Sequence, residues 1–354
     1  KKQEKDRNVL YRRMIILTDR YSRQIMFNHI GKNGQEKIGQ KHVLIIGCGA
    51  LGSANAENLV RAGIGKLTIV DRDYVELTNL QRQNLFTEQD CHEQLPKVIA
   101  AKNRLQEINS SVSIVPHILD ANYDSLRPII EQDSIDLIID ATDNFDTRFL
   151  INDISHKYNI PWIMGSCVGS TGMSFTILPG QTPCLQCLLD SLPVSGATCD
   201  SVGIISPAVQ MVTAFQSAEA LKILVEDYKS LRTKLVTFDL WNNYFQTIRM
   251  ERAKKEHCPT CGKHPSYPYL QYENQTKTEI LCGRNTVQIR TGNEIPIDYL
   301  AKRLEKVGQL RLNPYLLSID YQSYRAVIFR DGRVLIHGAN SEEIAKKVYY
   351  QLIG

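Results

Sequence analysis

The chain predicts an α/β fold: an open, mostly parallel sheet with helices on both faces, continued by antiparallel strands and followed by a small C-terminal α+β domain. Three observations carry this. Residues 41–47 form a short apolar strand that runs into Gly47-Cys-Gly-Ala-Leu-Gly52, residues 53–62 have helical periodicity, and 66–70 form a second strand ending at Asp71 and Asp73. That βαβ unit, with its right-handed crossover, puts both strand ends on one edge of a parallel sheet. Fully apolar strands then keep alternating with helices, as a sheet buried on both faces requires. Beyond Gly169 the pattern changes to alternation over 171–178, which suits an antiparallel strand.

In order, 96–108 reads as a helix with Pro96 at its start, 113–117 as a strand, 136–140 as a more strongly apolar one, 145–158 as a helix and 162–164 as the strand after it. The stretch 180–203 is rich in Pro, Ser, Gly and Cys and too long for an ordinary connector, so it is a candidate crossing loop. Residues 207–225 read as a buried helix, and 234–239 with 244–250 as a returning hairpin. The last unit contains strands at 286–290, 316–320, 326–330 and 333–337 and helices at 297–307 and 341–352. Asp331-Gly332 is a hairpin turn, and Ser341 followed by Glu342 and Glu343 is a helix start. The expected division is 1–265 and 266–354, with a docking or stabilising role for the second part.

A length of 354 residues supports about two domains. A net charge of +4, with basic and acidic residues interspersed, excludes the field that grips a nucleic-acid backbone. No segment reads as a signal peptide or a membrane span; the longest nearly uncharged helical stretch, 204–218, contains Ser, Gln and Thr. Nine cysteines without an export signal fit a reducing cytoplasm, where thiols bind metal or react.

Four of those cysteines form two hooks, Cys184-x-x-Cys187 and Cys258-x-x-Cys261, a complete tetrahedral thiolate set that suits Zn²⁺. A closed set leaves no position for water, so this metal would support folding. A paired disulfide or unligated thiols are the alternatives.

Gly47-x-Gly49-x-x-Gly52 between strand and helix sets backbone N–H groups, including those of Ala50 and Leu51, against phosphate. Asp71, 24 residues beyond Gly47, stands where a carboxylate can take both hydroxyls of a ribose. The glycines alone would favour NAD, and no Walker lysine is present. The residues after Asp73 depart from a dehydrogenase: Asn79-Leu-Gln-Arg82-Gln83 is a cluster of donors, Lys97 begins a helix, and these can neutralise a triphosphate. Asp140-Ala-Thr142-Asp143-Asn144-Phe-Asp146 ends another strand on the same edge, and a carboxylate beside phosphates makes sense chiefly with Mg²⁺ between them. The bland readings are a surface ion pair for Arg82, a solvated helix residue for Lys97, and a helix cap for Asp143 or Asp146.

Together with Arg20-Tyr-Ser-Arg23-Gln24, Pro183-Cys-Leu-Gln-Cys187, Thr198-Cys199 and Cys258-Pro-Thr-Cys261, these motifs resemble the MoeB/ThiF family of ubiquitin-activating-type adenylyltransferases over roughly 15–265. The resemblance implies a homodimer that binds Mg-ATP and the C-terminal Gly-Gly tail of a ubiquitin-fold sulfur carrier, ThiS-like or MoaD-like. It implies AMP transfer to the tail carboxylate with release of pyrophosphate. By it, Asp71 holds the ribose, Asn79, Arg82 and Lys97 contact phosphates, Asp143 is the Mg²⁺-associated acid, and Arg23 reaches into the neighbouring subunit's site. It also makes the hook cysteines zinc ligands and Cys199 a sulfur-handling thiol.

Residues 270–354 lack a cysteine in an anion-cradling loop, which implies a separate sulfur donor. Cys167, after an apolar strand, reads as core. The rival classes are an NAD-dependent oxidoreductase on the same glycine turn and a non-catalytic carrier-binding scaffold.

Overall fold

A computed structural model describes residues 20–189, 202–270, 278–281, 286–290 and 294–353. Helix α1 (Gly31–Ile38) precedes strand β1 (His42–Ile46), helix α2 (Ala50–Ala62) and strand β2 (Lys66–Asp71). Then come α3 (Lys97–Ile108), β3 (Ser113–Ile118), α4 (Tyr123–Gln132), β4 (Leu137–Asp140), α5 (Phe145–Tyr158), β5 (Trp162–Val168) and β6 (Thr171–Ile177). Helix α6 (Ser206–Leu224) leads to the hairpin β7 (Lys234–Asp239) and β8 (Tyr244–Arg249).

These strands make one eight-stranded sheet in the order β3-β2-β1-β4-β5-β6-β7-β8. It is parallel through β5 and antiparallel from β5 to β8. Every residue of β1 is buried, because its two faces feed two cores. Val43 and Ile45 pack with Leu59 of α2, Leu105 of α3 and Ile223 of α6, whereas Leu44 and Ile46 pack with Ile130 of α4 and Ile151 of α5. This is the physical content of a run with no polar alternation. Helix α1 went unread in the sequence, as did α4, started by the Asn122 cap on the Ser125 N–H, and a short helical turn at Glu88–His92.

A second sheet is wholly antiparallel, in the order β11-β12-β13-β14-β10-β9, where β9 is Thr278–Leu281, β10 Thr286–Arg290, β11 Gln309–Leu312, β12 Leu316–Tyr321, β13 Tyr324–Phe329 and β14 Arg333–His337. Strands β9 and β11 were not anticipated, and Cys282 lies outside the described residues. Helices α7 (Ile297–Leu304) and α8 (Glu342–Leu352) cover one face through Leu300, Leu304, Val348 and Leu352. The other face lies against the first sheet's unit, where Tyr74 packs among Leu316, Val327, Phe329 and Leu335. Ser341 caps α8 as its position suggested.

Candidate functional site at the switch point

Strand order reverses between β1 and β4, and a ligand crevice in an open α/β sheet lies outside the carboxyl ends at such a point. Gly47 turns the chain there with φ of +95°, and a Cβ on it would collide with the Ala141 carbonyl after β4. A Cβ on Gly52 would strike the Gly47 carbonyl, so this glycine lets α2 seat against the turn. Gly49 is different. Only the Gln83 amide, 3.8 Å from its missing Cβ, comes near, which leaves open space over the start of α2, Ala50 and Leu51, where first-turn N–H groups lack intrahelical acceptors.

On the β2 side, Asp71 accepts the N–H groups of Cys48 and, at 2.7 Å, Asp73. Burial pushes the Asp71 carboxyl up from its ordinary range, against the pull of Lys97. Lys97 is 3% exposed and donates to the Asp73 carboxylate at 3.0 Å, so it is not a solvated helix residue. Asn79 is buried and accepts the Glu76 N–H at 3.1 Å, holding the loop after β2 in shape. Arg82 donates to the Thr78 carbonyl, and among the described residues it joins no ion pair. The buried Gln83 carboxamide oxygen has no hydrogen-bond partner among the described residues, while its Nε2 faces Gly49.

On the β4 side, Asp140 is fully buried and its charge is met by Arg148 Nε at 3.0 Å and by the Thr142 N–H and hydroxyl. Arg148 also donates to the carbonyls of Thr142 and Gly165, while Gln216 donates to the Asp140 carbonyl and accepts from Asn55. This network ties β4, α5, β5, α6 and α2 together beneath the crevice. Pattern along the chain did not single out Arg148, Asn55 or Gln216. Their signal was polarity inside otherwise buried helices, which demands a partner. Asp143 and Asn144 lie exposed above it. The α5 cap is Asn144, accepting the Thr147 N–H at 2.8 Å, so neither Asp143 nor Asp146 serves as cap. The Asp143 carboxylate, which accepts from the Asn144 amide at 3.4 Å, is exposed at the strand end, which fits a cation held between it and a phosphate.

Arg23 does not join this cluster within one chain. Tyr21 packs on Gly63, and Gln24 donates to the Ala62 carbonyl, at the far end of α2 from the glycine turn, about 20 Å away for a helix of this length. Cys199 lies outside the described residues.

The four hook thiols converge, with all sulfurs within 4.8 Å and contacts of 3.5 Å for Cys184 with Cys258 and 3.6 Å for Cys187 with Cys261. A tetrahedron with Zn–S of about 2.3 Å has edges of about 3.8 Å, so the donor set fits zinc. Hydrogen bonds from Cys184 and Cys187 pull the Cys261 thiol down to about 4. Helix α5 holds both hooks: Asn152 accepts the Leu185 N–H at 2.8 Å and Asp153 accepts the Thr260 hydroxyl at 2.6 Å. Its start carries the crevice and its last turns carry the thiol site. Cys167 lies within β5 and packs in the cluster of Leu51, Val209 and Phe238.

The fold and the crevice define a nucleotide-handling α/β protein. The sequence model of the ThiF family matches residues 21–260, and the chain belongs to that family. It is 49% identical over 341 residues to the sulfur carrier protein ThiS adenylyltransferase of Bacillus subtilis, covering 96% of this chain and all of that protein. It is 33% identical to the sulfur carrier protein adenylyltransferase of Thermus thermophilus, over 75% of this chain and 96% of that one. The adenylyltransferase and sulfurtransferase MOCS3 of Aedes aegypti is 36% identical over 71% of this chain, but only 57% of its own length is matched. Crystalline E. coli MccB with ATP shares the fold, with a TM-score of 0.59 at 24% identity over 69% of this chain and 74% of that one. The protein is an adenylyltransferase. No helix among the described residues is long and apolar enough to cross a membrane.

Proposed function

We propose that the protein transfers AMP from Mg-ATP to the C-terminal glycine carboxylate of a ubiquitin-fold sulfur carrier, with release of pyrophosphate. The carrier is taken as ThiS-like because the Bacillus subtilis relative, matched along its whole length, is named for ThiS; a MoaD-like carrier is the second reading. One observation carries the proposal. Asp71, Asp73 and Lys97 stand on one side of the glycine turn and Asp143 on the other, around a single switch point.

In this reading Asp71 accepts from the ribose hydroxyls, and the backbone from Gly47 through Gly49, Ala50, Leu51 and Gly52 faces the phosphates. Asn79, Arg82, Gln83 and Lys97 bind those phosphates, Asp73 orients Lys97, and Thr142 and Asn144 line the same edge. A Mg²⁺ held by Asp143 would offset charge on the phosphate oxygens. The carrier carboxylate is already ionised near neutral pH, so no general base is needed. Its oxygen attacks the α-phosphorus, the bond from that phosphorus to the bridging oxygen breaks, and pyrophosphate leaves with the electron pair. Two anions meet in this step, and Lys97 and Arg82 supply preorganised positive charge; holding the flexible tail in line supplies the rest. Residues 1–265 would form the adenylation unit with its zinc, and 266–354 a separate one. Arg23 would act across a homodimer, and Cys199 would handle sulfur from a separate donor.

The test is carrier-dependent exchange of labelled pyrophosphate into ATP, with both carriers side by side. Asp143→Ala should lower exchange at least about 100-fold; full exchange in that variant removes Asp143 from the site, and a nicotinamide spectral change without Mg²⁺ dependence favours the oxidoreductase. Mixing Arg23→Ala with Asp143→Ala protomers should restore roughly a quarter of wild-type exchange, because half the dimers regain one intact site. No recovery on mixing removes the role across the dimer.

A further inference from the structure

The loop between β2 and α3 leaves Asp71, carries Asp73, Asn79, Arg82 and Gln83 and leads into Lys97, yet it is about 25 residues long where connections in α/β units run about 2–6. Its own regular structure is a single 3₁₀ turn and one short helix. The second sheet touches both arms of this loop beside the point where they converge. On the outgoing arm, Arg333 donates through Nη1 to the Arg72 carbonyl at 2.9 Å, and the Tyr74 hydroxyl meets His337 Nε2 at 2.9 Å. These two contacts flank Asp73. On the returning arm, Asn313 donates to the carbonyls of Glu93 at 3.0 Å and Gln94 at 3.2 Å, and Gln94 reaches the Ser318 hydroxyl at 3.4 Å. Gln94 has φ of +50°, a left-handed conformation that a non-glycine residue keeps only when its surroundings hold it. It stands three residues before Lys97.

The clamp side is itself rigid. Arg333, 3% exposed, is held by Asp331 at 2.6 Å and lies over the Phe329 ring, while the second nitrogen of His337 meets the Thr286 hydroxyl at 2.9 Å. Arg72 and Arg290 both pair with Asp120, just past the end of β3. The ThiF family match ends at residue 260, before any of these sheet residues.

We infer that the C-terminal sheet is a positioning clamp for the nucleotide site, in which Arg333, His337 and Asn313 hold the two arms of the loop so that Asp71 and the Asp73–Lys97 pair meet the nucleotide in register. The inference rests on the reading of this crevice as the ATP site. Arg333, His337 and Asn313 are positioning residues that act through Arg72, Tyr74 and Gln94.

The experiment measures Mg-ATP binding, and KM and kcat for pyrophosphate exchange, on the full chain, with Tm recorded for each variant. Arg333→Met should raise the KM for ATP about tenfold, the worth of one charge-assisted hydrogen bond, with kcat changed less than about threefold. Arg333→Lys, which restores a donor, should recover most of that loss. Asn313→Ala, at a solvent-side contact, should raise KM about threefold in a protein that still folds, and it decides the matter if Arg333→Met does not fold. Arg303→Ala removes a contact with the Leu352 carbonyl on the far helices; it should lower Tm and leave the KM for ATP unchanged. Unchanged KM in Arg333→Met and Asn313→Ala overturns the clamp, as does an equal rise in Arg303→Ala. A wild type that neither binds Mg-ATP nor exchanges pyrophosphate overturns the nucleotide reading and the clamp together.

Discussion

The inner strands of both sheets are buried on both faces, and they arrive there by different routes. The first is parallel through β5, and its crossover helices cover each side. Parallel connection makes every strand end on one edge, and the reversal between β1 and β4 leaves a gap there that polar residues line. The second sheet is antiparallel, so its connections alternate between edges and no such gap arises. Its helices cover one face and the loop after β2 covers the other. A crevice for chemistry thus follows from connectivity, whereas the second sheet contributes a surface that holds a neighbour in place.

The largest way to break that contrast is at the base of the first sheet's gap. Asp140→Ala leaves Arg148 buried without its carboxylate and should cost about 3–5 kcal/mol in denaturant unfolding; a loss below about 1 kcal/mol would mean the ion pair does not hold the switch point together. Next is the covered face of the second sheet. Leu335→Ala, beneath Tyr74, should cost about 2–3 kcal/mol, as for a buried side chain and not an exposed strand position. A change within about 0.5 kcal/mol would say that this face is open in solution.

The smallest effect is with pH and belongs to the first sheet. Burial pushes His42 in β1 and His117 in β3 down from their ordinary value, with Lys66 adding to it for both. Each ring stays neutral in the fold at pH values where the unfolded chain already binds a proton. The contribution of these two rings to stability should therefore fall as pH drops below about 6.5 and be constant above it. Melting curves from pH 7.5 to 5.5 check this, and a His42→Gln, His117→Gln double variant should flatten the slope.

Much of the first unit was legible along the chain. The strands β1, β2 and β4 announced themselves as apolar runs, the glycine turn and Asp71 stood at their expected spacing, and the two thiol hooks were a complete donor set before any fold was known. Less legible was what joins them. Neither the Asn152 and Asp153 contacts that tie both hooks to α5 nor the Arg148 network under the crevice has a spacing signature, because partners in them lie up to 161 residues apart. The covered face of the second sheet did leave a trace. Ala326-Val-Ile-Phe329 and Val334-Leu-Ile336 are continuous apolar runs, and an antiparallel sheet with a wet face would alternate.

Local pattern, then, determined most of the elements, the glycine turn and the four-thiol set, because backbone conformation and donor chemistry are properties of a few adjacent residues. Tertiary structure alone decided that Asn144 and not Asp143 caps α5, that Lys97 is buried against Asp73, and that the C-terminal sheet grips the loop carrying them. These depend on which distant groups compete for the same hydrogen bond or the same water-free space, and that competition exists only once the chain is folded.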